Sequence, residues 1–127
     1  MSAWDQETID LAMSTQEIDL TTWGRKSGEP RRVTIWIWGD GQKLYIRSGY
    51  GLGRDWTQNI MARNQAIVHL AGRDLPVRAR HVTDFAEARA CSHMVIAKYP
   101  SGSTPGTGNE PSPGELATFE ITPDTTN

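Results

Sequence analysis

Residues 32–38, Arg-Val-Thr-Ile-Trp-Ile-Trp, constrain the fold more than any other stretch of the chain. Every residue from Val33 to Trp38 is β-branched or aromatic, the types that suit a pleated, buried strand. Successive strand side chains point to opposite faces, so Val33, Ile35 and Ile37 share one face and Trp36 and Trp38 the other. Both faces are apolar. Such a strand needs a core on one side and a cover on the other, as in a barrel wall overlaid by a helix or a second subunit.

The flanking sequence supplies partners for it. Residues 18–23 form a strand before the turn-rich 24–30, and Asp40-Gly41 provides the positive-φ positions of a tight turn that returns 43–48 beside 32–38. A second hairpin joins 66–71 to 75–82 about Gly72-Arg73-Asp74, and 116–121 is the last strand. Helices are expected over 5–13, from a cap at Asp55 to about residue 63, and from a cap at Asp84 through Phe85, Ala88, Cys91, Val95 and Ile96. Residues 99–114 are rich in Pro, Gly, Ser and Thr, which predicts a mobile loop or lid, and 122–127 are a polar tail. The expectation is one domain over 1–127, mainly β with flanking helices, its six antiparallel strands closing a small barrel.

Composition narrows the function classes. Apolar residues make up 37% of the 127-residue chain and charged residues 22%, with five Trp, which indicates a globular chain. No apolar run reaches the length of a membrane span, and acids rather than a basic segment follow Met1, so a cytoplasmic protein is expected. The single Cys91 offers neither a disulfide nor a metal-ligand pair. Residues 1–24 hold five acids and no Lys or Arg, whereas 25–63 hold eight basic residues against three acids. A basic centre in a mildly acidic chain suits a local anion such as phosphate rather than nucleic acid, and a solvated charged face equally well.

Two segments fit the anion. In Gly24-Arg25-Lys26-Ser27-Gly28-Glu29-Pro30-Arg31, glycines permit a tight turn, Lys26 offers a point charge, Ser27 a hydroxyl, and Arg25 and Arg31 forked donors. In 48–63, a Gly-rich loop leads into a capped helix, where free N–H groups and the positive helix end coincide. The hairpin between the segments would bring both loops to one end of the barrel and to one phosphate-bearing ligand.

Gly24-Arg25-Lys26-Ser27-Gly28 with Pro30-Arg31, followed by Trp56, Asn59, Ile60 and Ala62, resembles the motifs of the deazaflavin-dependent nitroreductases and quinone reductases. That family lies within the pyridoxamine 5'-phosphate oxidase-like, FMN-binding split β-barrels, and the resemblance covers about residues 18–82. It implies a six-stranded split barrel holding coenzyme F420, or FMN in its place. By position, Arg25, Lys26, Ser27, Gly28 and Arg31 would form the phosphate loop. Thr34, Ile35 and Trp36 would line the ring, with Ser48 and Trp56 bordering the pocket. Thr57 stands where the family often has a substrate-side Tyr, and Thr34 where its strand often has Pro. The implied reaction is hydride transfer from the reduced cofactor to a small organic acceptor such as a quinone, nitro compound or enone.

Other residues suggest less. His69, His81 and His93 lack ligand spacing, and Cys91 and His93 point to different sides of a helix. Tyr50 alone of the tyrosines lies in a loop beside the expected pocket and is the candidate proton donor. Two alternatives remain: a non-catalytic barrel holding a cofactor or apolar ligand, and an assembly protein dimerised through its aromatic strand. The second apolar face of 32–38 predicts a homodimer in either event.

Overall fold

In the computed structural model, which describes residues 3–99 and 105–124, seven strands form one antiparallel sheet. β1 (Ile18–Trp23) and β2 (Pro30–Ile35) make the first hairpin, in the register Ile18↔Ile35 to Trp23↔Pro30. β3 (Ile37–Gly39) and β4 (Leu44–Arg47) make the second, and β5 (Gln65–Leu70) and β6 (Arg73–His81) the third. β7 (Thr118–Pro123) lies between β6 and β4, and the spatial order is β2-β1-β5-β6-β7-β4-β3. The two edge strands are consecutive lengths of one chain run, separated by Trp36 alone. The sheet is therefore curled, a half-barrel.

This explains seven strands where six were expected. Ile35 pairs with Ile18 of β1, whereas Ile37 pairs with Ile46 of β4. The single strand expected over 32–38 serves both edges by bending at Trp36, which leaves the ladder. A lost ladder hydrogen bond costs about 1 kcal/mol. The bend offsets this by giving the one run a partner at each end of the sheet, β1 for Ile35 and β4 for Ile37, while both side chains stay buried.

Side-chain parity survives the bend. Val33, Ile35 and Ile37 pack inward with Leu20, Ile46 and Phe119, and Trp36 and Trp38 pack outward with Tyr45, Cys91, Val95 and Tyr99. The cover is α3 (Phe85–Lys98), whose N-cap Asp84 accepts a hydrogen bond from Glu87 N at 2.9 Å. Of the two possible covers, helix or second subunit, the chain's own helix occupies this face.

α1 (Gln6–Ser14) begins at its cap Asp5, and its last turn is closed by Lys98 of α3. Lys98 Nζ donates to the carbonyls of Ala12, Thr15 and Ile37 at 2.8, 2.9 and 2.5 Å, tying both helices to the bend. Tyr99 stacks on Trp36 at 4.0 Å, and its hydroxyl reaches the carbonyls of Gln16 and Ile37. Tyr99 is thus a buried anchor and not the start of a mobile loop. Of the expected loop 99–114, residues 100–104 lie outside the described residues. The remainder carries an unexpected short helix, α4 (Pro113–Leu116), closed by a capping box between Ser112 and Glu115.

Three boundaries also shift. The turn between β5 and β6 is Ala71-Gly72, with φ 52° and 79°, the two positive angles of a primed turn. Arg73 and Asp74 already belong to β6. α2 (Asp55–Arg63) takes Arg54 as its N-cap, without a side-chain cap bond, and Asp55 sits in the first turn. Thr122 and Pro123, expected in the polar tail, extend β7, and 125–127 lie outside the described residues. No helix among the described residues is long and apolar enough to cross a membrane.

Candidate functional site

The turn between β1 and β2 is held by its own backbone. Gly24 N donates to Glu29 O and Gly28 N to Gly24 O, each at 2.8 Å, and Ser27 Oγ accepts from Glu29 N at 3.1 Å. A Cβ on Gly24 would lie 2.5 Å from Ser27 Oγ and displace the hydroxyl that caps Glu29 N, and Gly28 has φ +72°, the left-handed region that favours glycine. Asn59 of α2 braces the turn: its Oδ1 accepts from Arg25 N and Nη1, and its Nδ2 donates to Thr22. This brace is why α2 starts beside the turn.

Between them is a cavity of about 220 Å³ lined by Gly24, Arg25, Lys26, Ser27, Arg31, Asp55 and Asn59. Arg25 approaches Asp55 at 3.8 Å and Arg31 approaches Glu29 at 3.5 Å, both in exposed positions. Lys26 has no acidic partner among the described residues. Three cations and one carboxylate line the cavity, with Glu29 beside Arg31, so its lining is positive on balance, a charge that suits a small anion.

A larger cavity, about 540 Å³, opens on the other side of the first turn of α2. β2 and the bend contribute Val33, Thr34, Ile35 and Trp36, with Trp38 beyond. β4 and its loop contribute Arg47, Ser48, Gly49 and Tyr50. Arg54 and Trp56 come from the start of α2, Val95 from α3, and Glu17 from the lead-in to β1. Three indole rings and three aliphatic side chains make the walls apolar, as a planar ring system requires. Trp56 also leans on Phe119 of the core at 6.0 Å, which sets its orientation.

The residues expected to bind ligand therefore divide. Arg25, Lys26, Ser27 and Arg31 line the small cavity, Thr34, Ile35, Trp36, Ser48, Trp56 and Tyr50 line the large one, and Gly28 shapes the turn without lining either. The Gly-rich loop before α2 borders the aromatic cavity rather than sharing the anion cavity, a difference from the single phosphate site expected. Arg54 and Trp56 line one cavity and Asp55 and Asn59 the other, so the start of α2 borders both. Tyr50 is 79% exposed and lies under Arg54, 4.1 Å from the guanidinium. Thr57 lines neither cavity: it is fully buried, with its hydroxyl on the carbonyls of Leu52 and Arg54.

Arg47, 7% exposed at the end of β4, does not stand out in the sequence as a lining residue. Its Nε donates to Thr118 Oγ1 at 2.7 Å, Nη1 to Ser92 Oγ at 2.9 Å and Nη2 to Ala88 O at 3.1 Å. The signal was parity: in 43–48, Tyr45 and Arg47 share a face, and in the hairpin Tyr45 pairs with Trp38. Cys91 is buried, and burial pushes its thiol up to about 11, which suits a core residue and not a nucleophile. His69 bridges Thr21 and Asp74, and His81 donates to Leu116 O; neither lines these cavities.

Residues 8–113 match the family model described as "Uncharacterized protein conserved in bacteria (DUF2255)". No curated protein matches the chain. Among solved structures, a Listeria innocua protein assigned as a pyridoxamine 5'-phosphate oxidase is 15% identical, with 94% of this chain and 92% of that chain covered and a TM-score of 0.69. A Bacteroides thetaiotaomicron protein assigned to 5-nitroimidazole antibiotic resistance is 12% identical over 99% and 83%, with a TM-score of 0.66. An F420-H2-dependent reductase is 20% identical over 84% and 92%, with a TM-score of 0.59. These likenesses show that the chain shares the split-barrel fold of those proteins.

Proposed function

The chain belongs to the DUF2255 family of bacterial proteins, and we propose that it is a reductase dependent on a flavin-type cofactor, coenzyme F420 or FMN. The observation that carries the proposal is the adjacency of a cationic cavity and an aromatic cavity across one helical turn. A phosphate-bearing planar cofactor has both parts.

Lys26, Arg31 and Arg25 would hold the phosphate, with Ser27 adding a hydroxyl and Gly24 and Gly28 keeping the backbone close. Trp36, Trp56 and Ile35 would enclose the ring and keep water from it, with Thr34 and Ser48 at its margin. When bound, the cofactor supplies the hydride chemistry, and the protein supplies position and a dry cavity. The acceptor would be a small organic molecule such as a quinone, nitro compound or enone. Tyr50 remains the candidate proton donor, moving inward from its exposed position as the acceptor binds.

A second proposal is a non-catalytic binding protein, favoured by the absence of any buried acid–base side chain among the described lining residues. Among the described residues lining the large cavity the one acid, Glu17, is exposed, as is Tyr50. In either role the chain would act as a homodimer. Trp23 and Ile67, half-buried on the outer face of the sheet and part of neither core cluster, are the surface offered for it. Titration of the purified protein with F420 and with FMN, followed by tryptophan fluorescence, tests the proposal. Saturable quenching by one of them is expected. If neither binds, the redox proposal gives way to the binding protein.

A further inference from the structure

Arg47 has no role in the reductase proposal, yet it is the most deeply buried charge lining the large cavity. Its three hydrogen-bond acceptors, Thr118, Ser92 and Ala88 O, are all neutral. The carboxylate behind them is Glu115, 2% exposed, which Arg89 holds at 2.6 Å. Glu115 connects to Arg47 only through Ser92, whose hydroxyl lies 2.8 Å from Glu115 Oε2. Two guanidinium groups, buried Arg47 and partly exposed Arg89, thus share one carboxylate, and the charge of Arg47 is only partly offset.

That charge cannot be discharged in place. Burial lowers the pKa of Arg47, but a guanidinium stays protonated at any physiological pH. It also cannot easily swing away, because its Cδ packs against Gly114, where a Cβ would approach to 3.0 Å. The Trp38 ring, 5.4 Å from its central carbon, eases the charge without neutralising it. The other charged lining residues, Arg54 and Glu17, are exposed. A buried cation whose nearest carboxylate is already held by a second guanidinium favours a ligand that brings a further negative charge.

We propose that the large cavity selects planar aromatic ligands that present an anionic oxygen to Arg47. The inference rests on the large cavity being a ligand site, as in the proposed function, and not on the identity of the cofactor. The oxygen belongs either to the ring system of the cofactor or to an acidic acceptor.

The test is fluorescence titration of the full chain, at fixed ionic strength, with two probes of one skeleton: 8-anilinonaphthalene-1-sulfonate and uncharged N-phenyl-1-naphthylamine. Wild type should bind the sulfonate at least about tenfold more tightly, a difference of about 1.4 kcal/mol. Arg47→Met should abolish that preference with little change for the neutral probe, Arg47→Lys should retain part of it, and Lys26→Ala in the small cavity should retain all of it. Equal affinity of wild type for the two probes overturns the inference even if Arg47→Met fails to fold. Loss of the preference in Lys26→Ala instead of Arg47→Met also overturns it, by placing the sulfonate in the small cavity. Displacement of the sulfonate by saturating F420 or FMN assigns the anionic oxygen to the cofactor ring, and undiminished binding beside the cofactor assigns it to the acceptor. If neither cofactor binds while the Arg47-dependent preference holds, the reductase proposal fails and this inference stands.

Discussion

Lys26 and Glu115 show how burial decides what a charged residue does. Lys26 is exposed and has no acidic partner among the described residues, so its charge contributes little to the fold. A charge-assisted contact to phosphate contributes about 1.5–3 kcal/mol. Lys26→Ala should therefore weaken cofactor binding about tenfold or more while leaving thermal stability unchanged. Lys43→Ala, at the hairpin turn between β3 and β4, should change neither. Equal behaviour of the two variants in the titration would remove Lys26 from the site. Glu115 is the reverse case. Burial pushes its carboxyl up, but hydrogen bonds from Arg89, Ser112 N, Ser92 and Gly106 N outweigh it and hold the pKa at about 2, below the ordinary 4.5. A carboxylate with a depressed folded pKa stabilises the fold above its unfolded pKa, and that contribution fades as the pH falls from about 5 to about 2. The contribution at neutral pH is about 3 kcal/mol. Glu115→Gln should lower the urea midpoint clearly at pH 7, with the difference from wild type narrowing towards pH 3. A constant difference across that range would mean that the carboxylate's charge is not what stabilises the segment.

At the scale of elements, local pattern and local geometry part company in turns. The hairpin between β5 and β6 is legible from two β-rich runs around a glycine. Its turn is misplaced by the sequence because Ala71 occupies a left-handed position that alanine rarely takes. Asn tolerates that conformation and Asn-Gly suits a primed turn, so Ala71→Asn should raise stability by about 0.5–1 kcal/mol. Ala71 is exposed, which leaves packing out of the comparison. A thermal midpoint that stays the same or falls would show that the turn carries no strain. The same limit hid α4 and the anchoring of Tyr99. A Pro- and Gly-rich segment with little apolar surface looks mobile in sequence, but Arg89 donates to the carbonyls of Gly108 and Glu110 and to Glu115, and fastens it to α3. The bond partners are about twenty residues away, beyond the reach of a local pattern.

For the whole molecule, the curl of the sheet governs the surface that is left. Because α3 buries Trp38 and Tyr99 stacks on half-buried Trp36, little of the outer face of the aromatic strand is left for a subunit interface. A dimer would have to use another face, such as the one carrying Trp23 and Ile67. Sedimentation at micromolar concentration should show a two-fold dimer, and Trp23→Ser should shift it towards monomer. A wild-type monomer under those conditions would end the dimer proposal.

The sequence by itself determined the strand-rich class, the hairpins, both apolar faces of residues 33–38, and the basic and glycine residues of the turn between β1 and β2. Those features are set by nearest neighbours: side-chain parity, β-branching, and the turn preferences of Gly, Asp and Pro. Only the tertiary structure decided that one run of chain forms both sheet edges, that α3 buries Trp38 while Tyr99 stacks on Trp36, and that the two loops border separate cavities. It also decided that Arg47 is buried near a carboxylate that Arg89 already holds. Each of these depends on which distant segments meet, and that is settled by closure of the sheet around its core rather than by any local preference of the chain.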